Sequence, residues 1–301
     1  MRVASISQAG GSVVGIQLGE QWINFSAALQ AHRLITTGVQ EPLITTTFEL
    51  LQRGQFGASS FQEVADFLDR HALADAFRIE EPVKLLAPLA PGTFIGIGHQ
   101  YPPKPRPRTP GAFAKLPSSI IGPGDKIRVI KGTWEYLPEI ELAVVIGKRG
   151  NNLDEEQAKD LIAGYTIVND VSLYGVTAPD GEQAHIQGTV MAKGGDTQGP
   201  CGPWIVTPDE IGPEPVKLDM EMKVNGAVVQ TGNTSDMLWK IPETIAFISQ
   251  YITWQPGDML TTGMGPVEPN FERILRPGDV IEGRIEKIGD IRNVVVDADD
   301  L

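Results

Sequence analysis

Cysteine is almost absent: Cys201 stands alone in 301 residues, which excludes an intramolecular disulfide and any thiolate zinc cluster. Its neighbours Pro200, Gly202, Pro203 and Trp204 predict a packed, inert thiol rather than a nucleophile. No apolar run reaches the roughly 18 residues of a membrane-spanning helix, and Met1 to Ile6 lacks the apolar core of a signal peptide, so a cytoplasmic protein is expected. Basic residues are outnumbered 25 to 38, leaving a net charge of −13. That deficit argues against nucleic acid as a partner, because phosphate binding needs concentrated Lys and Arg.

What remains is ordinary for a globular chain. A hydrophobic content of 41% beside 21% charged residues can close a sizeable core, in one large domain or a small one beside a large one. Residues 1 to 24 alternate short apolar runs with Gly10-Gly11 and Gly19-Glu20, as a hairpin meander would. Short helices are expected around Ala27–Leu29 and Phe48–Leu51, and a clearer one from Ser60, where Ser60 and Glu63 have the form of a capping box. This predicts a small mixed domain over residues 1–80. Strand-like segments separated by Gly and Pro dominate residues 81–301, with a helix after Asn152 or Asp154 that Gly164 stops and another from Ile241 that carries Pro242 in its first turn. The pattern is β-rich α+β rather than doubly wound.

The residues that promise chemistry lie between Tyr136 and Asp196. After Pro138, Glu139 to Gly147 reads as a strand. Alternation along it puts Glu139 and Glu141 on one face, roughly 6.5–7 Å apart. A second apolar segment, Gly164 to Val171, ends in Asp170 where β-structure gives way to a loop. Were the two segments neighbours, three carboxylates would converge on one ion. With neither His nor Cys among them they suit a hard cation, Mg²⁺ or Mn²⁺ first, with Ca²⁺ a further fit. The competing reading is a solvated polar face of an edge strand.

Further on stands Met191-Ala192-Lys193-Gly194-Gly195-Asp196, ahead of Gly199-Pro200. Here the chain resembles the fumarylacetoacetate hydrolase family, whose core reads Glu-x-Glu-Leu, Asn-Asp-Val-Ser and Lys-x-x-Asp. Glu139–Leu142, Asn169–Ser172 and Lys193–Asp196 match those elements in order. The likeness also takes in Phe113-Ala114-Lys115, Ser118–Gly122, Gly257–Gly263 and Gly289–Asn293, and spans about residues 82 to 297.

This resemblance implies a mixed β-sheet roll for residues 81–301, and a divalent-metal-dependent hydrolase that cleaves a C–C bond of an oxo or diketo acid. It also implies a homodimer. Glu139, Glu141 and Asp170 would be the metal ligands, and Lys193 would lie beside the substrate oxygens, oriented by Asp196. Gln100, Tyr101, Arg106, Tyr174, Thr262 and Gly263 would line the substrate. The chain departs from the pattern after β-segment Thr93–Gly98. His99-Gln100-Tyr101-Pro102 has Gln100 at the family's Asn and no following His-x-x-Glu to activate water, so His99 is the candidate substitute. Tyr174 stands where an Arg is common, and Met264 where a Thr is common.

Pro102 to Pro110 packs five prolines and three basic residues into nine positions. It favours an extended loop, either a lid whose Arg106 or Arg108 clamps a substrate carboxylate or a rigid surface excursion. Without an activated water, decarboxylation, dehydration or isomerisation of the same oxo acids becomes the alternative. A catalytically silent ligand-binding relative is the third reading.

Overall fold

The computed structural model describes residues 1–300. The first three strands, β1 (Arg2–Gln8), β2 (Gly11–Leu18) and β3 (Gln21–Asn24), form the expected meander. β4 (Phe94–Gly98) and β5 (Gly111–Lys115) bracket the Pro-rich loop, and β6 (Ile120–Ile121), β7 (Lys126–Val129) and β8 (Thr133–Leu137) follow. The central run comprises β9 (Ile140–Ile146), β10 (Ile162–Asn169), β11 (Ser172–Thr177), β12 (Gln183–His185) and β13 (Gly199–Val206). β14 (Asp219–Val224), β15 (Ala227–Asn233), β16 (Met259–Thr261), β17 (Val280–Ile285) and β18 (Gly289–Asp297) complete the set.

These strands make three sheets in an α+β fold. The largest runs β3-β2-β1-β13-β10-β9-β16-β4-β5, with β6 added beside β13. Five strands form a second sheet, β15-β14-β17-β18-β7, and a small third is β12-β11-β8. Pairing is mixed: β4 runs parallel to β16 and β7 to β18, while β9 is antiparallel to both its neighbours. The N-terminal hairpins continue the main sheet through β1 on β13, but their helices close a core of their own around Val14, Phe25, Phe61 and Leu68. Among the described residues no helix is long and apolar enough to cross a membrane.

Two local expectations are corrected. Ser60 and Glu63 do not form a capping box: the helix starts earlier, at Ala58, with Gly57 as its uncapped N-terminal residue. Phe56 just outside and Phe61 inside pack edge to face at 5.1 Å, so a hydrophobic staple sets the entry instead. The helix after Asn152 is brief, Glu155–Lys159, capped by Asp154 with Gln157.

Gly164 does not stop that helix but lies inside β10, because β13 passes too close for a side chain there. A Cβ on Gly164 would stand 2.5 Å from Ile205 Cγ2 and 2.7 Å from the Val206 carbonyl oxygen. Gly164→Ala is therefore expected to cost about 1–3 kcal/mol through overpacking, read as a lower Tm with metal affinity unchanged.

Candidate metal centre

β9 is interior, flanked by β10 and β16, and every residue of it is buried. The edge-strand reading of Glu139 and Glu141 therefore fails. Glu141 stands opposite Val168, and Ile140 opposite Asn169. Where the ladder ends, the backbone is clasped: the Asp170 N–H donates to the Glu139 carbonyl at 2.8 Å, and the Glu139 N–H donates to Asn169 Oδ1 at 2.9 Å. This brings Asp170 beside the two glutamates. One carboxylate oxygen from each of Glu139, Glu141 and Asp170 lies within 4.8 Å of the others, and the three residues are 4%, 2% and 0% exposed.

Three negative charges removed from water at this spacing need partners. Lys193 Nζ donates to Glu139 Oε2 at 2.9 Å and to Asp170 Oδ2 at 2.7 Å. Lys115 Nζ donates to Asp170 Oδ1 at 2.5 Å, and to the carbonyl oxygens of Lys193 and Gln198 at 2.6 and 3.3 Å. Glu139 Oε1 accepts from Ser172 Oγ at 2.6 Å and the Tyr174 hydroxyl at 2.9 Å. Glu141 Oε2 accepts from the Gly263 N–H at 2.9 Å. With every one of these groups ionised, three carboxylates face two ammonium groups, and one negative charge is left over.

The imbalance shifts the protonation equilibria of the cluster. Burial, then the Asp170 charge, pushes the Glu141 carboxyl up to about 8. Burial opposes the Asp170 charge too, but Lys115 and Lys193 outweigh it and hold that carboxyl below its ordinary range. Lys193 would lose its proton more easily for being buried, yet Asp170 and Glu139 keep it charged well above the usual lysine range. Burial and the Glu139 charge likewise raise the Tyr174 phenol. A buried set of hard oxygen donors with surplus negative charge fits a divalent cation, held by Glu139, Glu141 and Asp170.

The other expected residues divide. Tyr101 is buried, its phenol raised by burial and then by the Glu141 charge, and its hydroxyl has no hydrogen-bond partner among the described residues. Thr262 donates to the Leu142 carbonyl at 3.0 Å, positioning its strand end. Gly263 has φ +80°, and a Cβ there would meet Ile97 O at 2.9 Å and Gln100 Cβ at 2.8 Å, so only glycine seats its N–H on Glu141. The Gln100 amide is spent on Trp239: Nε2 donates to Trp239 O at 3.1 Å, and the Trp239 N–H donates to Oε1 at 3.0 Å. Arg106 sits 4.1 Å over the Trp239 ring and 3.2 Å from Glu243, at the start of the helix Ile241–Ser249 and half-exposed. His99 is exposed, with φ +60°, and makes no hydrogen bond to the three carboxylates.

Asp196 does not orient Lys193. It pairs with Arg128 at 3.1 Å on the surface, because the chain turns outward after Gly194-Gly195 and passes through Thr197 at φ +65°. Sequence reasoning missed Lys115 and Ser172 as members of the centre. Both had a signal: Lys115 closes the Phe-x-Lys element, and Ser172 and Tyr174 follow Asp170 at strand alternation. Cys201 is fully buried and its thiol pushed up to about 12 by that burial, as its apolar neighbours suggested.

Comparison with known proteins bears on this geometry. The family model described as fumarylacetoacetate (FAA) hydrolase, C-terminal, matches residues 92–296. A 2,4-didehydro-3-deoxy-L-rhamnonate hydrolase of Sphingomonas sp. (strain SKA58) is 39% identical over 214 residues, 68% of this chain and 73% of that one. The structure of maleylpyruvate hydrolase from Sphingobium sp. SYK-6 in complex with manganese(II) ion and pyruvate is similar at 28% identity and a TM-score of 0.74, covering 99% of each chain. A 5-carboxymethyl-2-hydroxymuconate delta-isomerase from Mycobacterium smegmatis is similar at 26% identity and a TM-score of 0.69, again over 99% of each.

Proposed function

Because the chain belongs to the fumarylacetoacetate hydrolase family and is hydrolase-like within it, we propose that it is a divalent-metal-dependent hydrolase cleaving a C–C bond of an oxo or diketo acid. The observation that carries this reading is the buried convergence of Glu139, Glu141 and Asp170 with Lys193 alongside. Mg²⁺ or Mn²⁺ held there would supply Lewis-acid stabilisation of negative charge developing on the substrate oxygens. Lys193, kept protonated by its two carboxylates, stands ready to donate a hydrogen bond or a proton to an enolate oxygen. The Tyr101 hydroxyl, buried within range of the Glu141 charge and without a hydrogen-bond partner among the described residues, is a second donor for a substrate oxygen. His99, at the end of β4, is assigned the proton from water. A homodimer in the cytoplasm completes the proposal.

A second reading, decarboxylation, dehydration or isomerisation of the same acids, is favoured by two observations: the Gln100 amide is locked to Trp239, and the chain has no His-x-x-Glu after Tyr101 to activate water. Turnover of a panel of oxo and diketo acids with Mg²⁺ or Mn²⁺ in ¹⁸O-water tests both. Hydrolysis places one ¹⁸O in an acid product, whereas unlabelled carbon skeletons with CO₂ release or a shifted double bond favour the second reading. Silence across the panel with metal present removes both.

A further inference from the structure

An open cavity of about 890 Å³, bordered by none of the three carboxylates, lies between the start of β1, the connection at residues 82–85, and the β17–β18 hairpin. Its walls carry Arg2, Lys84, Arg284, Lys287 and Arg292, and among the described residues Asp290 is the sole acid lining it. The chain as a whole is acidic, with 38 Asp and Glu against 25 Lys and Arg, so this groove inverts the sign of the protein around it.

The cations are not a run in the sequence. They come from three separate segments, β1, the 82–85 connection and the β17–β18 hairpin, that the fold brings together. Arg284 pairs across the hairpin with Asp290, and Glu282 with Arg292; alternation puts all four on one outward face. Their ion pairs are long, 3.9 Å for Arg284 with Asp290 and 3.7 Å for Arg292 with Glu282, and both guanidinium groups are more than half exposed. Pairs of this kind hold charge weakly, so the forks are free to turn to a ligand. The hairpin turn is fixed to the floor: Trp204 Nε1 donates to the Ile288 carbonyl at 2.7 Å, and Lys287 Nζ to the Ile211 carbonyl at 2.8 Å. Arg2 lies 5.1 Å over the Trp204 ring, which tilts against Trp22 on another side.

From this we infer that the groove is a binding site for a compact multivalent anion, a diphosphate or triphosphate group. Guanidinium forks and ammonium groups arriving from several directions match several phosphate oxygens at once. One carboxylate would use only a fraction of them. An extended polyanion is disfavoured by the net charge of −13 that the chain as a whole carries. The Trp204 ring is already taken by Arg2 and Trp22, so the recognised part is the phosphate moiety and not a stacked base.

The test is isothermal titration of the whole protein with pyrophosphate and with orthophosphate, with and without Mg²⁺. Three proteins are compared: wild type, Arg284→Gln/Arg292→Gln, and Glu141→Gln. Wild type should bind pyrophosphate at least about tenfold more tightly than orthophosphate. The double variant should lose about a hundredfold, roughly tenfold for each charged contact removed, while keeping the wild-type Tm because both side chains are exposed. Glu141→Gln should bind pyrophosphate as wild type does, since the metal centre takes no part. ADP and ATP then separate a nucleotide from a free polyphosphate as the source. No pyrophosphate binding by wild type, equal binding by the double variant, or loss of binding in Glu141→Gln each overturns the inference. So does a change of oligomeric state in the double variant with pyrophosphate affinity untouched, which would mark the groove as a contact between copies.

Discussion

Glu141→Gln is expected to abolish detectable turnover and to weaken Mn²⁺ binding by more than the roughly 10–100-fold that loss of a group supporting a metal ligand produces. The substitution keeps the side chain's shape, and the amide oxygen can still accept from the Gly263 N–H that holds Glu141 at 2.9 Å. What it removes is one carboxylate charge from the buried set of three. The variant also has a pH signature. Because burial and then Asp170 push the Glu141 carboxyl up to about 8, a proton competes with the metal for this oxygen below that pH. Wild-type affinity should therefore rise roughly tenfold per pH unit up to about 8 and level off above it, with about one proton released on binding at neutral pH. In Glu141→Gln the slope should vanish. Mn²⁺ titrations followed by paramagnetic resonance between about pH 6 and 9 check both, and an unchanged affinity or an unchanged slope would remove Glu141 from the ligand set.

The second large effect concerns stability. Lys115→Met should destabilise the metal-free protein by about 3–5 kcal/mol, the usual consequence of leaving one member of a buried ion pair behind. Lys115 is 2% exposed and Asp170 wholly buried, and the Lys115 ammonium bridges Asp170 to the carbonyl oxygens of Lys193 and Gln198. Methionine fills similar volume but donates to none of them. A fall of about 10 °C in Tm is expected. Loss of a positive charge beside Asp170 should also favour a bound cation, so Mn²⁺ should raise the Tm of the variant by more than that of wild type. Equal metal-induced shifts would show that Lys115 does not balance the charge of the centre.

Much of the site could be read before any fold was known. Strand alternation alone placed Glu139 and Glu141 on one face, and the break after Asn169 marked Asp170 as the residue leaving a strand. The ordered motifs around them supplied the family. What misled was local chemistry taken without its neighbours. Ser60 and Glu63 have the spacing of a cap, but the contact of Phe56 with Phe61 starts the helix earlier. Gly164 has the character of a helix stop, but its absent side chain serves the passage of β13.

The residues by themselves settled the period of each segment, hence which side chains share a face, and the composition that rules out thiolate metal sites and a disulfide framework. They could not settle adjacency. That β9 lies inside a sheet rather than at its edge follows from the placing of β16 and β10 on its two sides, and only this turns two glutamates from solvated groups into buried ones in need of a cation. Lys115 reaches Asp170, and Arg2 comes to share a groove with Arg284 and Arg292, for the same reason. A side chain's face is set by backbone geometry within a few residues, whereas its partners are chosen by which apolar surfaces the whole chain buries against one another.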